Sequence, residues 1–227
     1  MNEFEFSRII PLFPNFHEIQ KARVAVVGLG GVGGIAAICL ARSGVSHFVL
    51  CDFDKVNITN FNRQIVAGYS TIGEYKVDVI EKMIKDINKD AEIIKLKEPF
   101  NKESTLFNYK FNYLIDAIDD VDNKYLLIKE TLKRDITLIS SMGTAKKLDI
   151  KKLNIVDINK TAYDPLAKII RKRMRDEGLK LKFMCLSSTE EVKLEGKYLA
   201  SYMPVTSASG LMIADYIIKK IGETKNE

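Results

Sequence analysis

With 227 residues, 46% of them hydrophobic, and a formal charge of +5, the chain can bury a sizeable core as one domain, expected as 1–227 with a core at 1–145 and a basic part at 146–227. Its three cysteines, Cys39, Cys51 and Cys185, lack C-x-x-C spacing and are too few for a disulfide framework or a structural zinc, so the expected compartment is a reducing cytoplasm. The opening Met1–Phe6 carries Glu3 and Glu5 without a basic flank, which argues against a secretory leader, and the uncharged run from Val24 to Ala41 holds too many glycines for a membrane span.

Apolar runs and amphipathic stretches then alternate, the pattern of an α/β, doubly wound, Rossmann-like sheet, mostly parallel, with helices on both faces. Arg23–Gly28 reads as a buried strand, Gly31–Arg42 as its helix and His47–Asp52 as a second strand. A long loop, Lys55–Ile72, precedes a helix at Glu74–Asn88, where Val77, Ile80, Ile84 and Ile87 recur at helical spacing. Strands follow at Ala91–Lys97 and Phe111–Asp116, then a helix at Asp122–Arg134 and a strand at Ile136–Ser140. Asp164 can cap a helix that opens on Pro165 and stops before Gly178, burying Leu166, Ile169, Ile170 and Met174. Phe183–Val205 looks irregular, with a turn at Gly196, and Thr206–Ile221 reads as a last core helix.

The richest signal is the turn Gly28-Leu29-Gly30-Gly31-Val32-Gly33 between the first strand and its helix, followed by Asp52 at the end of the next strand. Gly28-x-Gly30-x-x-Gly33 with an acid about 20 residues on fits any pyrophosphate approached by backbone N–H groups at a helix N-terminus. Arg63 and Lys76 shift the balance from a nicotinamide cofactor to ATP, because a triphosphate carries charge that calls for cationic side chains. His17 and His47 are the only histidines, and neither is placed to serve hydride chemistry.

Charge is unevenly distributed. Between Lys146 and Lys182 twelve basic residues face five acidic ones, a net +7 that leaves about −2 for the remainder. On the Asp164-capped helix, Lys168, Arg171, Lys172 and Arg175 share a stripe opposite the buried face, suited to tracking the phosphates of a polyanion or to a plain solvated surface.

Taken as a set, G-L-G-G-V-G, C-D-F-D, T-N-x-N-R-Q, Lys76 and D-A-I-D ending at Asp119 resemble the ubiquitin-activating, ThiF, MoeB and HesA superfamily of adenylating enzymes. Within it, D-P-L-A from Asp164, C-x-x-S-T-E from Cys185 and P-V-T-x-x-x-G-L from Pro204 are similar to the tRNA threonylcarbamoyladenosine dehydratases. The resemblance implies an ATP- and Mg²⁺-dependent enzyme that activates the carboxylate of the threonyl group on an adenosine next to the tRNA anticodon and lets the ureido side chain close a ring with loss of water. It implies a pocket of Gly28, Gly30, Gly31, Gly33, Asp52, Asp54, Asn60, Arg63, Lys76 and Asp119. Asp52 would hold the ribose hydroxyls, Arg63 and Lys76 the phosphates, and Asp119 the metal, with Asp120 and Asp122 as nearby contenders for that last role. Arg8 resembles an arginine donated to the neighbouring subunit's nucleotide, so a homodimer is expected, and tRNA would lie on Lys168, Arg171, Lys172 and Arg175. A sulfur-relay protein is a further partner compatible with the resemblance. Two other readings stay open at this level: activation of the C-terminus of a ubiquitin-like sulfur carrier, and a NAD-binding oxidoreductase. A covalent role for Cys185 would need a lowered thiol pKa.

Overall fold

The computed structural model describes residues 3–180, 182–192 and 200–223. Seven short strands form one sheet: β1 (Arg23–Val27), β2 (His47–Cys51), β3 (Glu92–Leu96), β4 (Tyr113–Asp116), β5 (Thr137–Ser141), β6 (Leu153–Asp157) and β7 (Met184–Ser188). Their order is β3-β2-β1-β4-β5-β7-β6, every pairing parallel except that of β6 with β7. The helices are α1 (Phe16–Lys21), α2 (Gly33–Arg42), α3 (Lys76–Ile87), α4 (Val121–Thr131), α5 (Pro165–Asp176) and α6 (Met203–Glu223).

The central strands are mainly apolar because both faces are covered, the exceptions being the buried Asp116 of β4 and Ser140 and Ser141 of β5. In β1, Val24 and Val26 face α2, α3 and α6, joining Ala36, Leu40, Ile80, Ile84, Ile213 and Ile217. Ala25 and Val27 face the other way, with Leu127 and Ile128 of α4 and Ile170 and Met174 of α5. Position 210 of α6 is glycine for a steric reason: α2 lies so close that a Cβ there would sit 2.5 Å from the carbonyl oxygen of Val32 and 2.9 Å from the Cβ of Ile35.

The expected strands and helices lie within a few residues of those observed as far as β5. The differences are concentrated in the second half. Within the stretch expected to be irregular, Met184–Ser188 forms β7, whose polar Ser187 and Ser188 are buried and hydrogen-bonded rather than facing water, so the apolar run that marks a buried strand is missing. The edge strand β6 is only partly buried beyond Leu153 and likewise lacks that signature. Helix α6 begins at Met203 and accommodates Pro204 in its first turn, where no intrahelical N–H is needed. Gly196 lies outside the described residues.

Candidate active site

The carboxyl ends of β1, β2 and β4 meet at the glycine turn. Gly28 sits at φ +87°, and a Cβ there would lie 2.7 Å from the carbonyl oxygen of Ala117, so both backbone and space demand glycine. At Gly33 a Cβ would collide with the Gly28 carbonyl, and at Gly31 it would press on the Arg63 carbonyl and Thr206. Gly30 differs. Its nearest neighbour would be the Gln64 amide at 3.8 Å, an ordinary contact, so the protein's own packing does not explain the missing side chain.

Asp52 is buried beside this turn. Its Oδ2 accepts from the Leu29 N–H at 2.6 Å and its Oδ1 from the Asp54 N–H at 2.8 Å, which ties β2 to the turn. Burial raises its carboxyl above the ordinary range, while Lys76 and the two N–H groups act in the opposite direction. Lys76 opens α3 with its side chain 5% exposed, and its ammonium lies 2.7 Å from Asp54, which is half exposed. Asn57 and Asn60 form a reciprocal capping box that fixes the start of the loop, so the buried Asn60 supports the loop through its carbonyl. Arg63 packs its backbone on Gly31, and its guanidinium donates to the Thr59 carbonyl at 2.8 Å and to Asn62 at 3.0 Å, two of its five N–H groups.

The three acids after β4 are separated by their partners. Asp120 caps α4, accepting from the Asn123 N–H, and Asp122 pairs with Arg173 at 2.6 Å. Asp119 is exposed and, among the described residues, has neither a hydrogen bond nor an ion pair, which leaves its carboxylate open to a cation.

Sequence reasoning missed several residues. Lys124 and Asp116 form a fully buried pair at 2.7 Å, with Ser140 bridging to the same carboxylate oxygen, directly beneath Ala117 and the glycine turn. The first aspartate of D-A-I-D was a visible signal; its partner eight residues later was not. A second hub joins the C-terminal motifs. Asp164 caps α5 and also accepts from the Gly143 N–H and the Ser187 hydroxyl, while the Glu190 carboxylate accepts from the N–H groups of Leu148 and Asp149.

Two expectations about side chains are corrected. Arg171 does not share the exposed stripe: it is half buried and turned inward, donating to the carbonyls of Ile158 and Thr161 and to the Thr161 hydroxyl, so Lys168, Lys172 and Arg175 form the exposed cationic edge. On the apolar side Ala167 takes the buried place expected for Ile169, which is 41% exposed. Cys185 is fully buried in β7 and its thiol is pushed up to about 12 by desolvation and by Asp164 and Asp157, the opposite of what a nucleophilic thiolate needs. Arg8 is exposed on the N-terminal turn, two residues from Phe6, whose ring packs on Phe16. His47 starts β2 at the far edge of the sheet, beside Gln20 and Ser46. A hollow of about 540 Å³ lined by Arg23, Phe107, Lys110 and Arg134 also lies at that far edge.

The chain is 48% identical over 157 residues to a tRNA threonylcarbamoyladenosine dehydratase of Bacillus subtilis (strain 168), an alignment covering 68% of this chain and 62% of that protein. It is 32% identical over 133 residues to an adenylyltransferase and sulfurtransferase, MOCS3, of Culex quinquefasciatus, covering 58% of this chain and 30% of that one. The matched part therefore spans less than two thirds of either curated relative. Among solved structures it resembles the E. coli tRNA N6-threonylcarbamoyladenosine dehydratase crystallised with ATP, with a TM-score of 0.91 and 30% identity over 96% of this chain and 94% of that one. The ThiF family model matches residues 10–227, well over half of the sequence, and with the glycine turn and its flanking acid and cations in place the chain belongs to the ThiF family.

Proposed function

We propose that the chain binds ATP in the glycine crevice and uses it to activate the carboxylate of threonylcarbamoyladenosine in tRNA, promoting cyclisation with loss of water. The observation that carries the reading is a glycine at position 30 that the protein's own packing does not require, next to Leu29, whose N–H is held by the buried carboxylate of Asp52, with the buried ammonium of Lys76 acting on that same carboxylate. Asp52 keeps acceptor capacity on both oxygens beyond its two backbone bonds, enough for two ribose hydroxyls. Lys76 and the remaining N–H groups of Arg63 supply the positive charge that a triphosphate requires and that its α-phosphorus needs as an entering carboxylate oxygen displaces pyrophosphate. An oxygen or nitrogen of the ureido chain then attacks the activated carbonyl and the phosphoryl group leaves with the former carboxylate oxygen, so the nucleoside loses one water. Intramolecular attack carries its own entropic advantage, so activation and orientation are the main tasks left to the protein.

The unpaired, exposed Asp119 suits Mg²⁺, which takes one or two carboxylates together with water and phosphate oxygens, and when bound it would screen phosphate charge. The E. coli structure solved with ATP supports the nucleotide, and the name of that protein and of its Bacillus relative supports the tRNA substrate. A tRNA substrate would place the reaction in the cytoplasm. No helix among the described residues is long and apolar enough to cross a membrane. Activation of a sulfur carrier is less well supported: the MOCS3 relative is more distant, at 32% identity over 58% of the chain against 48% over 68% for the Bacillus dehydratase. The test is incubation with ATP, Mg²⁺ and threonylcarbamoyl-modified tRNA, followed by nucleoside mass analysis. The nucleoside should lose the mass of one water only when ATP is present, and Arg63→Ala should abolish this in a folded protein. An unchanged nucleoside alongside adenylation of a carrier peptide would overturn the reading.

A further inference from the structure

Two residues other than glycine hold left-handed backbone, Lys146 at φ 61° and Tyr163 at φ 53°. For a bulky aromatic this is a strained conformation, and such strain persists only where surrounding contacts fix it. Both residues belong to one hub. The ammonium of Lys147, 2% exposed, donates to the Tyr163 carbonyl at 3.3 Å and to the Glu190 carbonyl, binding three segments to one buried charge. The next residue, Asp164, is itself buried and fixed by the N–H groups of Ala167 and Gly143 and the hydroxyl of Ser187. The side chain so positioned does nothing for the core. Tyr163 is 60% exposed and, among the described residues, its ring has no aromatic neighbour and its hydroxyl no hydrogen bond.

Its place in the fold is informative. Gly143 follows the carboxyl end of β5, which lies two strand spacings, roughly 10 Å, from β1, and its N–H holds Asp164, so Tyr163 adjoins the residue fixed at that end of the sheet, the end where the glycine turn lies. Exposed Lys168, Lys172 and Arg175 lie on the helix that begins two residues later. A rigid exposed aromatic next to a cationic edge is the combination by which proteins hold unpaired RNA bases, stacking on the ring while cations track the backbone. Resting on the tRNA reading above, we infer that Tyr163 is a stacking platform for an unpaired base of the substrate RNA, held in place by Lys147. A carboxylate at the end of a multi-bond side chain would reach the glycine crevice while its base lay some distance away.

The experiment compares binding of a fluorescent anticodon stem–loop RNA with that of an RNA duplex of equal length, for the unaltered protein, Tyr163→Ala and Tyr163→Phe. Loss of one stacked base corresponds to a roughly 5- to 150-fold drop in affinity. Tyr163→Ala should show a drop in that range for the stem–loop, with duplex affinity and ATP binding unchanged, and Tyr163→Phe should restore it. Equal weakening of both RNAs, or failure of phenylalanine to restore binding, would overturn the proposal. So would undiminished stem–loop binding by Tyr163→Ala in a system where the unaltered protein dehydrates the modified tRNA, and that result leaves the enzymatic reading standing. If the unaltered protein neither dehydrates the modified tRNA nor prefers the stem–loop to the duplex, the enzymatic reading fails and the stacking role fails with it.

Discussion

At Asp52, burial beside the glycine turn makes ionisation harder than for a free carboxyl, with Lys76 and two N–H groups only partly compensating. A carboxyl whose pKa is raised by folding contributes stability that is full below its unfolded pKa and lost as pH rises through the folded one. At neutral pH the ionised side chain is therefore a liability in the bare protein, a state found at sites tuned for a ligand rather than for the fold. Ribose hydroxyls would supply the donors that the buried carboxylate lacks. Nucleotide affinity should then fall as pH drops from neutral through the raised pKa, beginning above the ordinary carboxylate range. Calorimetric titration with ATP across that interval checks this, and Asp52→Asn should bind weakly with no such slope. Parallel slopes in the two proteins would show that another group titrates.

Among the elements, β4 and α4 share the most exacting contact, the fully buried pair of Asp116 and Lys124 with Ser140. Removing one member leaves the other charge uncompensated in the interior, which costs about 3–5 kcal/mol. Lys124→Met should therefore lower the denaturant midpoint sharply, whereas Lys124→Met with Asp116→Leu should regain much of the loss; equal destabilisation of single and double variants would refute the pair's role. Helix α5 offers a test of surface charge. Reversing Lys168, Lys172 and Arg175 to glutamate should weaken tRNA binding, and the slope of log affinity against log salt should become shallower by about 0.7–0.9 for each phosphate no longer neutralised. Reversing Arg171 should instead destabilise the fold by releasing the carbonyls of Ile158 and Thr161. The sequence made α5 legible because its cap, proline and apolar spacing are all local. Which cations on it stay exposed was not legible, since at 100° per residue Arg171 lies on the border of the buried face and its partners come from the preceding turn. Likewise, the crevice residues were legible as spaced motifs, while Lys124, Lys147 and Ser187 acquire meaning only from strands and loops brought alongside by the sheet. The strands β6 and β7 escaped notice for the same reason: their burial depends on each other and on Asp164.

For the molecule as a whole, the remaining question is where Arg8 acts. Its segment is anchored by Phe6 on Phe16, and Phe16 in turn presses on Gly44, just beyond the carboxyl end of α2. The glycine turn is at the other end of that ten-residue helix, about 15 Å away. Arg8 thus follows a segment anchored at the far end of that helix, and we predict that it acts at the nucleotide of a second copy of the chain across a two-fold axis. In such a dimer each site would combine one subunit's Arg63 with its neighbour's Arg8. Arg8→Ala and Arg63→Ala should each be inactive alone. Mixed and allowed to exchange subunits, half the dimers would carry one complete site, restoring about one quarter of full activity. The restored rate should increase with exchange time and disappear if the subunits are cross-linked before mixing. No recovery from a mixture shown by native mass spectrometry to contain heterodimers would place Arg8 outside the site altogether, leaving it as a surface arginine on the N-terminal turn.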